Sequence, residues 1–450
     1  MFRKIKKLIF HPNWYLYDYF RKKLGFRRYF VTDKIRLLDI SNHQKWHKLL
    51  LSHPFLYLYY KFNKKLQNPE YPILVDYRIV AIDKNVMGGG ECTALSVELE
   101  SNNIIYFTDH EIIKKVNTNK EPNLSRMILK FNFHGNHNSV VISARVKFGR
   151  LFKINIFGDN NRVIFGCGCA LNGGMIELEG SANYISMLSL CTINANTNIC
   201  FKGDGNILNA RKNVTLLPGS TMIFKKNNNY AYLGDNTTVT SDSTINFVGS
   251  NALVYICGNS SFNFYRTEFG SNTIFFYGYS SHTERNSSCS LWESKNIIIG
   301  SGCMFSRYIH LRNAAGHAIY DANTKKRISK GQSMIIGDHV WLGRAAVIIK
   351  GVKIGDGVMI GGSSLVTKDI PSGCMAAGHP AKVIREHILW TGAGPNNSET
   401  QEQFDEFEVY SGLKSNYKSI GWERLIKIDS IHSFIPSKEK VEMINSIINN

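Results

Sequence analysis

Residues 336–369 read IGDHVW LGRAAV IIKGVK IGDGVM IGGSSL VTKD. Cut into sixes, the blocks begin with Ile336, Leu342, Ile348, Ile354, Ile360 and Val366, and glycine follows directly at Gly337, Gly343, Gly355 and Gly361. A period of six suits neither a helix of 3.6 residues per turn nor an alternating strand. It suits a coil with flat faces, one short strand per face and a tight turn at each corner. The aliphatic residue points into the coil, and the glycine permits the corner.

Working back toward the N-terminus, the same kind of pattern continues with a longer period. Gly135, Gly158, Gly180 and Gly203 each close a short apolar run, and each is followed three positions later by Asn138, Asn161, Asn183 and Asn206. Lys226 with Asn229, Gly249 with Asn251, Gly270 with Asn272, and Glu293 with Asn296 extend the series at nearly constant steps. Coils of nearly equal length, each burying its neighbour's apolar face, make a mainly β chain with a long parallel β-solenoid over 131–298. Asn and Gly tolerate left-handed backbone angles, which accounts for the turns. The asparagines are expected to stack as a ladder inside the solenoid.

From 299 to 388 the coils tighten to the six-residue frame, through Ile299, Phe305 and Leu311. The separation of Leu311 and Ile336 is not a multiple of six and breaks the frame, so the polar, basic stretch 312–335 must leave the coil as a loop. A long loop interrupting a regular scaffold is where function is expected.

The flanks differ in character. Residues 1–36 carry eleven Lys or Arg against two Asp, interleaved with Phe2, Ile5, Trp14, Tyr15, Tyr17 and Phe20. Residues 1–70 are therefore read as a basic helical region, suited to the surface of an anionic bilayer. Residues 71–130 are read as a small α/β or β-rich region, and 389–450 as a linker followed by helices over WERLIKI and KEKVEMINSIINN, placed either over the end of the solenoid or on a neighbour. The 450 residues have a formal net charge of +19, which implies an acidic partner. No apolar run is long enough to cross a membrane as a helix, and a secretory signal pattern is not evident. Nine thinly spread cysteines fit a reduced compartment. Cys169 and Cys191, about one coil apart, are expected to be stacked core residues. No metal site is expected.

The unbroken six-residue period, the loop containing Gly316-His317, and the runs GGSSLVTKD and AGHPAKVI together resemble the hexapeptide-repeat acyltransferases, specifically their O-acetyltransferase branch. That resemblance implies a left-handed parallel β-helix, acetyl-CoA as donor, and a homotrimer with active sites between subunits. It gives His317 the place of the catalytic base. Attack by a sugar hydroxyl on a thioester needs a group that accepts the proton as the new bond forms, and imidazole suits that near neutral pH. Trp341 resembles the aromatic that lines the acceptor side, Tyr320 is expected on that side as well, and His310 is expected to be structural or acceptor-facing. The resemblance assigns Arg344, Gly362, Thr367, Lys368, Lys382 and Arg385 to CoA. Many relatives carry Asp two residues before the histidine; Ala315 stands here, so the imidazole's partner must come from elsewhere, with Asp321, a backbone carbonyl or a neighbouring subunit as candidates. His339 is expected at a surface corner, and His379 to touch the cofactor at most.

The N-terminal run KIKKL, HPN and YFRKKLG also resembles the opening of bacterial capsule biosynthesis proteins. Together these imply a cytoplasmic enzyme, peripheral on the inner face of the bacterial inner membrane, that acetylates an anionic capsular or cell-surface polysaccharide beside capsule assembly proteins. Two other readings are an acyltransferase acting on a nucleotide sugar and a non-catalytic solenoid scaffold. Nucleic acid is not expected, because the basic stretch lies outside the repeat and carries no reading motif.

Overall fold

The computed structural model describes residues 129–143, 145–392 and 418–449, together with strands at 29–31, 35–38, 77–81, 95–99 and 104–107. Each coil has three faces. In one coil these are Ile207–Ala210, Thr215–Leu216 and Thr221–Phe224, called here the first, second and third face. Every face pairs in parallel with the same face of the coils above and below. Thr215 pairs with Thr238 among the long coils, whereas Trp341 pairs with Met359, a shorter step, in the hexapeptide part. Between them Met304 pairs with Trp341, a step about twice that of a short coil, so one coil's worth of chain leaves as a loop.

Parallel stacking is already present before residue 131. Leu95–Leu99 pairs with Leu129–His134, and Ile104–Phe107 with Ser139–Ile142. Two pieces of the stretch read as helical, Tyr29–Val31 and Ile35–Leu38, are instead strands in an antiparallel pair. The rest of that helical reading, and the membrane attachment drawn from it, fall outside the described residues. Among the described residues no helix is long and apolar enough to cross a membrane.

Inward positions repeat down the stack because successive strands are in register. On the second face Ile193, Leu216, Val239, Phe262, Phe305, Leu342 and Ile360 are all buried. On the third face Phe201, Phe224 and Phe247 stack with ring centroids 4.1 and 4.5 Å apart, and Phe269 follows at 5.5 Å. Such ring pairs each contribute about 0.5–1.5 kcal/mol beyond the area they bury. Cys169 and Cys191 are buried in adjacent coils, as small core residues.

Corners are made by left-handed residues. Asn213, Asn236 and Asn259 share one corner at φ 59°, 59° and 57°. The interior ladder sits at a different corner, where the amides of Asn161, Asn183, Asn206 and Asn229 each donate to the side-chain oxygen of the asparagine one coil back, at 2.9–3.0 Å. Asn251 and Asn272 belong to the left-handed turn beside it, at φ 56° and 58°. Their places in the ladder are held by Ala252, whose amide donates to Asn229 Oδ1 at 2.9 Å, and by the buried Thr273. The asparagine series read from the sequence moves there from the ladder to the left-handed position one residue before it, which Asn228 holds in the preceding coil at φ 58°, because Ala and Thr occupy the ladder sites.

The first face is apolar on both sides from Leu253 to Ile336. Leu253–Ile256, Ile274–Tyr277, Ile297–Ile299 and Met334–Ile336 are buried at every position. Their inward residues join the solenoid core. Their outward residues are covered by α1 (Trp422–Asp429) and α2 (Ser437–Asn449). Leu425, Ile428, Val441, Ile444 and Ile448 pack there against Leu253, Tyr255, Ile274, Phe276, Ile298 and Ile335. The C-terminal helices thus lie along the side of the solenoid and do not cap its end. Polar contacts fix them: Tyr255 donates to Asn445 Oδ1 at 2.6 Å, and Asn296 Nδ2 to Asp429 Oδ1 at 2.9 Å.

Candidate active site

Two features stand out on the hexapeptide coils, one at each end of the third face. At the opening corner, successive turns leave a shallow groove of about 760 Å³ lined by Tyr308, Arg344, Ala345, Gly362 and Ser363. Tyr308, Ala345 and Ser363 occupy the same left-handed corner position, at φ 63°, 59° and 55°. Backbone bonds tie the turns together: Ala345 N donates to Arg307 O at 2.8 Å and Ser363 N to Arg344 O at 2.7 Å. The Arg344 guanidinium lies 5.4 Å over the Tyr308 ring. Gly362 is exposed, and a Cβ there would meet Arg344 O at 3.3 Å. Its missing side chain leaves main chain open to a ligand beside a cation suited to phosphate.

At the closing corner, after His310–Arg312, the chain departs as the loop. The loop is a hairpin: Tyr320 bridges Arg327 in antiparallel fashion, and Ile328 N donates to Ile319 O at 2.8 Å. Its return is fastened to the coil beneath. Glu293 accepts from Gly331 N at 2.9 Å and pairs with Arg327. The Gly331 amide first, and Arg327 next, hold the Glu293 carboxyl below the usual range. Ser329 supports the strand opposite, its hydroxyl accepting from Ile319 N at 2.8 Å and donating to His317 O at 3.3 Å. His317 is exposed, so its imidazole is presented to solvent from a backbone held at its own carbonyl.

Asp321 is engaged in the loop's own turn. Its Oδ1 accepts from Thr324 N at 2.6 Å, Thr324 Oγ1 at 2.9 Å and Asn323 N at 3.0 Å. The Thr324 amide and hydroxyl, with Asn323, hold this carboxyl below its usual range, and it serves as the cap of the hairpin turn. Of the sequence candidates, Arg344 and Gly362 come together in the groove. Thr367 and Lys368 follow Leu365–Val366 at the closing end of the third face. Lys382 and Arg385 are exposed on the terminal strand Ala381–Arg385. His310 faces outward on the third face, with Nδ1 2.6 Å from Ser288 Oγ. Tyr320 is 58% exposed on the hairpin.

Trp341 is half-buried on the second face and donates to Ser306 Oγ at 3.3 Å. Beside it His339 departs from expectation. It does take a corner, at φ 55°, yet it is buried, because Trp390 stacks on it at 3.8 Å with the rings 4° from parallel. His339 Nε2 lies 2.9 Å from Trp390 O, and Trp390 Nε1 donates to His339 O at 3.1 Å. Burial pushes the imidazole below its usual pKa, so it is a structural group. Trp390 reaches within 5.8 Å of Trp341. Sequence reasoning missed Tyr308, Ala345 and Ser363. Ala345 and Ser363 share one position of the six-residue frame, which could have found that pair, whereas Tyr308 joins them only across the loop, where the frame breaks.

Residues 333–368 match the family model described as bacterial transferase hexapeptide (six repeats). Over these residues the chain is similar to the hexapeptide-repeat transferases. A polysialic acid O-acetyltransferase from Escherichia coli O1:K1 / APEC is 43% identical over 95 residues, 21% of this chain and 31% of that protein. A galactoside O-acetyltransferase from Escherichia coli K12 is 35% identical over 143 residues, 31% of this chain and 66% of the relative. This hexapeptide-repeat chain thus spans about a third of the first relative and just under two thirds of the second. A crystal structure of a polySia-specific acetyltransferase aligns with 53% of this chain and 90% of its own at 29% identity, with a TM-score of 0.38.

Proposed function

We propose that the chain is an acetyl-CoA-dependent O-acetyltransferase acting on sugar hydroxyls of a capsular or other cell-surface polysaccharide, with His317 as general base. The observation that carries this reading is the corner groove, where Gly362 leaves main chain open beside the Arg344 cation. The pantetheine arm would lie along that groove and Arg344 would meet phosphate oxygens, while Lys368 at the closing end, with Lys382 and Arg385 on the terminal strand, would supply the further cations. The relatives named as polysialic acid and galactoside O-acetyltransferases favour a sugar hydroxyl as acceptor.

In the reaction the acceptor oxygen attacks the thioester carbonyl while its proton passes to the His317 imidazole. The C–O bond forms, the C–S bond breaks, and the proton is returned to the CoA thiolate. A sugar hydroxyl ionises far above neutral pH, so proton removal concerted with attack is what the base contributes, typically about 10²–10⁴-fold.

Groove and loop lie at opposite ends of the third face of one chain. A site assembled from two copies, the loop of one over the groove of the next, fits this separation, and a homotrimer is the assembly proposed. Ile319, Tyr320 and Ile328, 54%, 58% and 61% exposed on the hairpin, would be covered by the neighbouring copy or the acceptor. The basic N-terminal region would hold the enzyme at the inner face of the membrane, next to capsule assembly proteins.

The test is acetyl transfer from acetyl-CoA to purified capsular polysaccharide. His317→Ala is expected to lose two or more orders of magnitude in kcat with the KM for acetyl-CoA unchanged. Activity near that of the parent would exclude His317 as base.

A further inference from the structure

On the third face, next to the loop, one strand breaks the regular pattern. Phe264–Phe269 pairs with Ser287–Leu291, and the register shifts between Phe264 and Arg266, which makes Tyr265 an extra residue in a β-bulge. Bulges re-aim side chains and are often built into functional surfaces. This one is clamped. Thr244 Oγ1 donates to Tyr265 O at 3.2 Å and accepts from Thr267 N at 3.0 Å, while Thr267 Oγ1 donates to Thr244 O at 2.8 Å. Two threonine hydroxyls thus replace the ladder bonds that the bulge removes, and the outward side chains stand on a fixed backbone.

Those side chains are Tyr265, 49% exposed, and the exposed Arg266, whose Nη2 lies 3.1 Å from Glu268 Oε1. Arg266 pairs in register with Ser288, and Ser288 with His310. Ser290 pairs with Arg312, whose Nη2 lies 3.4 Å from where a Cβ on Gly316 would stand. A polar strip therefore runs from the bulge up to the base of the loop that bears His317. Two coil steps separate Arg266 from His310, about 10 Å at the spacing of paired strands, more than one sugar ring needs.

We propose that this strip is an acceptor track that holds a stretch of anionic glycan chain away from the reacting hydroxyl. The inference rests on the polysaccharide O-acetyltransferase reading. The Tyr265 ring can receive the apolar face of a pyranose. Arg266 and Arg312 offer forked donors to carboxylate or phosphate, and Ser288 and Ser290 offer hydroxyls to ring substituents. Outward positions change character in the coils beyond the loop, where Val347, Ile349 and Leu365 follow His310 and Arg312 in register. That apolar part suits a second copy of the chain; the polar strip suits a hydrated polyanion.

The experiment uses the full chain with Tyr265→Ala, Arg266→Ala and the double variant, and with Tyr265→Phe and Arg266→Lys as conservative partners. Binding by titration calorimetry and acetyl transfer are measured with polysialic acid, polygalacturonate and teichoic acid, each as long polymer and as short fragment. The expected result is a loss of about tenfold in affinity and in kcat/KM for the long form of the preferred polymer. The short fragment, the KM for acetyl-CoA and the melting temperature should not change, and the conservative variants should recover most of the loss. Equal binding of the long polymer by parent and double variant overturns the track while leaving the acetyltransferase reading intact. A parent that binds none of these polymers also overturns the track, and the catalytic reading is then decided by the His317 substitution alone.

Discussion

The ammonium of Lys440 on α2, fully buried, donates to the carbonyl oxygen of Asn251 at 3.0 Å, so that a charge is enclosed between the helix and the first face of the solenoid. Burial lowers its pKa from the ordinary 10.5 to about 8. Between these values the unfolded chain carries a proton that the folded chain has released, and the unfolded state loses this advantage as pH rises toward 10.5. The contribution of Lys440 to stability should therefore grow from pH 8 to pH 10.5 and be flat below 8. Lys440→Met removes the desolvated charge and should raise stability at neutral pH by about 2–3 kcal/mol. Melting curves of parent and variant should converge as pH approaches 10.5. A difference that widens toward alkaline pH would show that the lysine is not held as described.

The asparagine ladder predicts a sharp contrast between two residues of the same type. Asn206 is buried, and its Oδ1 receives the amide of Asn229 at 3.0 Å. Asn206→Ala leaves that amide buried without a side-chain acceptor and should cost about 1–3 kcal/mol. Asn213 lies on the exposed corner ladder, its Nδ2 donating to Asn236 Oδ1 at 3.0 Å. Asn213→Gly keeps the left-handed backbone available and exposes the freed groups to water, so the change should stay within about 0.5 kcal/mol. Urea unfolding of both variants measures the contrast.

Gly362 tests the donor groove separately from the acceptor. Because a Cβ would stand 3.3 Å from Arg344 O, Gly362→Val narrows the groove while its exposure leaves the core untouched. The KM for acetyl-CoA should rise about tenfold or more, with a melting temperature close to the parent's, and the acceptor KM should hold. Unchanged thermal stabilisation by acetyl-CoA would mean that the donor lies elsewhere.

The hexads from Ile336 to Val366 can be read directly because glycine and aliphatic positions are locked to the corners by a period that neither helix nor ordinary strand shares. The interior asparagines are legible for the same reason until Gly249, where Ala252 and Thr273 take the ladder sites and the asparagines that remain, Asn251 and Asn272, are those of the adjoining left-handed turn. The docking place of α1 and α2 is not read from the helices themselves, although LVYI at 253–256 and IFFY at 274–277 carry the signal: four consecutive apolar residues require cover on both sides of a strand. The burial of His339 is beyond local reading, since its cover, Trp390, lies 51 residues away in sequence. Arg344 and Gly362 are reached through the motif. Tyr308 is missed because it precedes the loop, and the groove exists only once coils on either side of the loop are stacked.

The excursion between Arg312 and Met334 leaves the rungs on both sides in uninterrupted parallel contact. Such an insert leaves the column's own ladder whole, and Glu293 of the coil beneath is its clasp. Its length and contents can be exchanged like a tool in a handle while the donor cleft stays in place, provided that the clasp residue Glu293 travels with it.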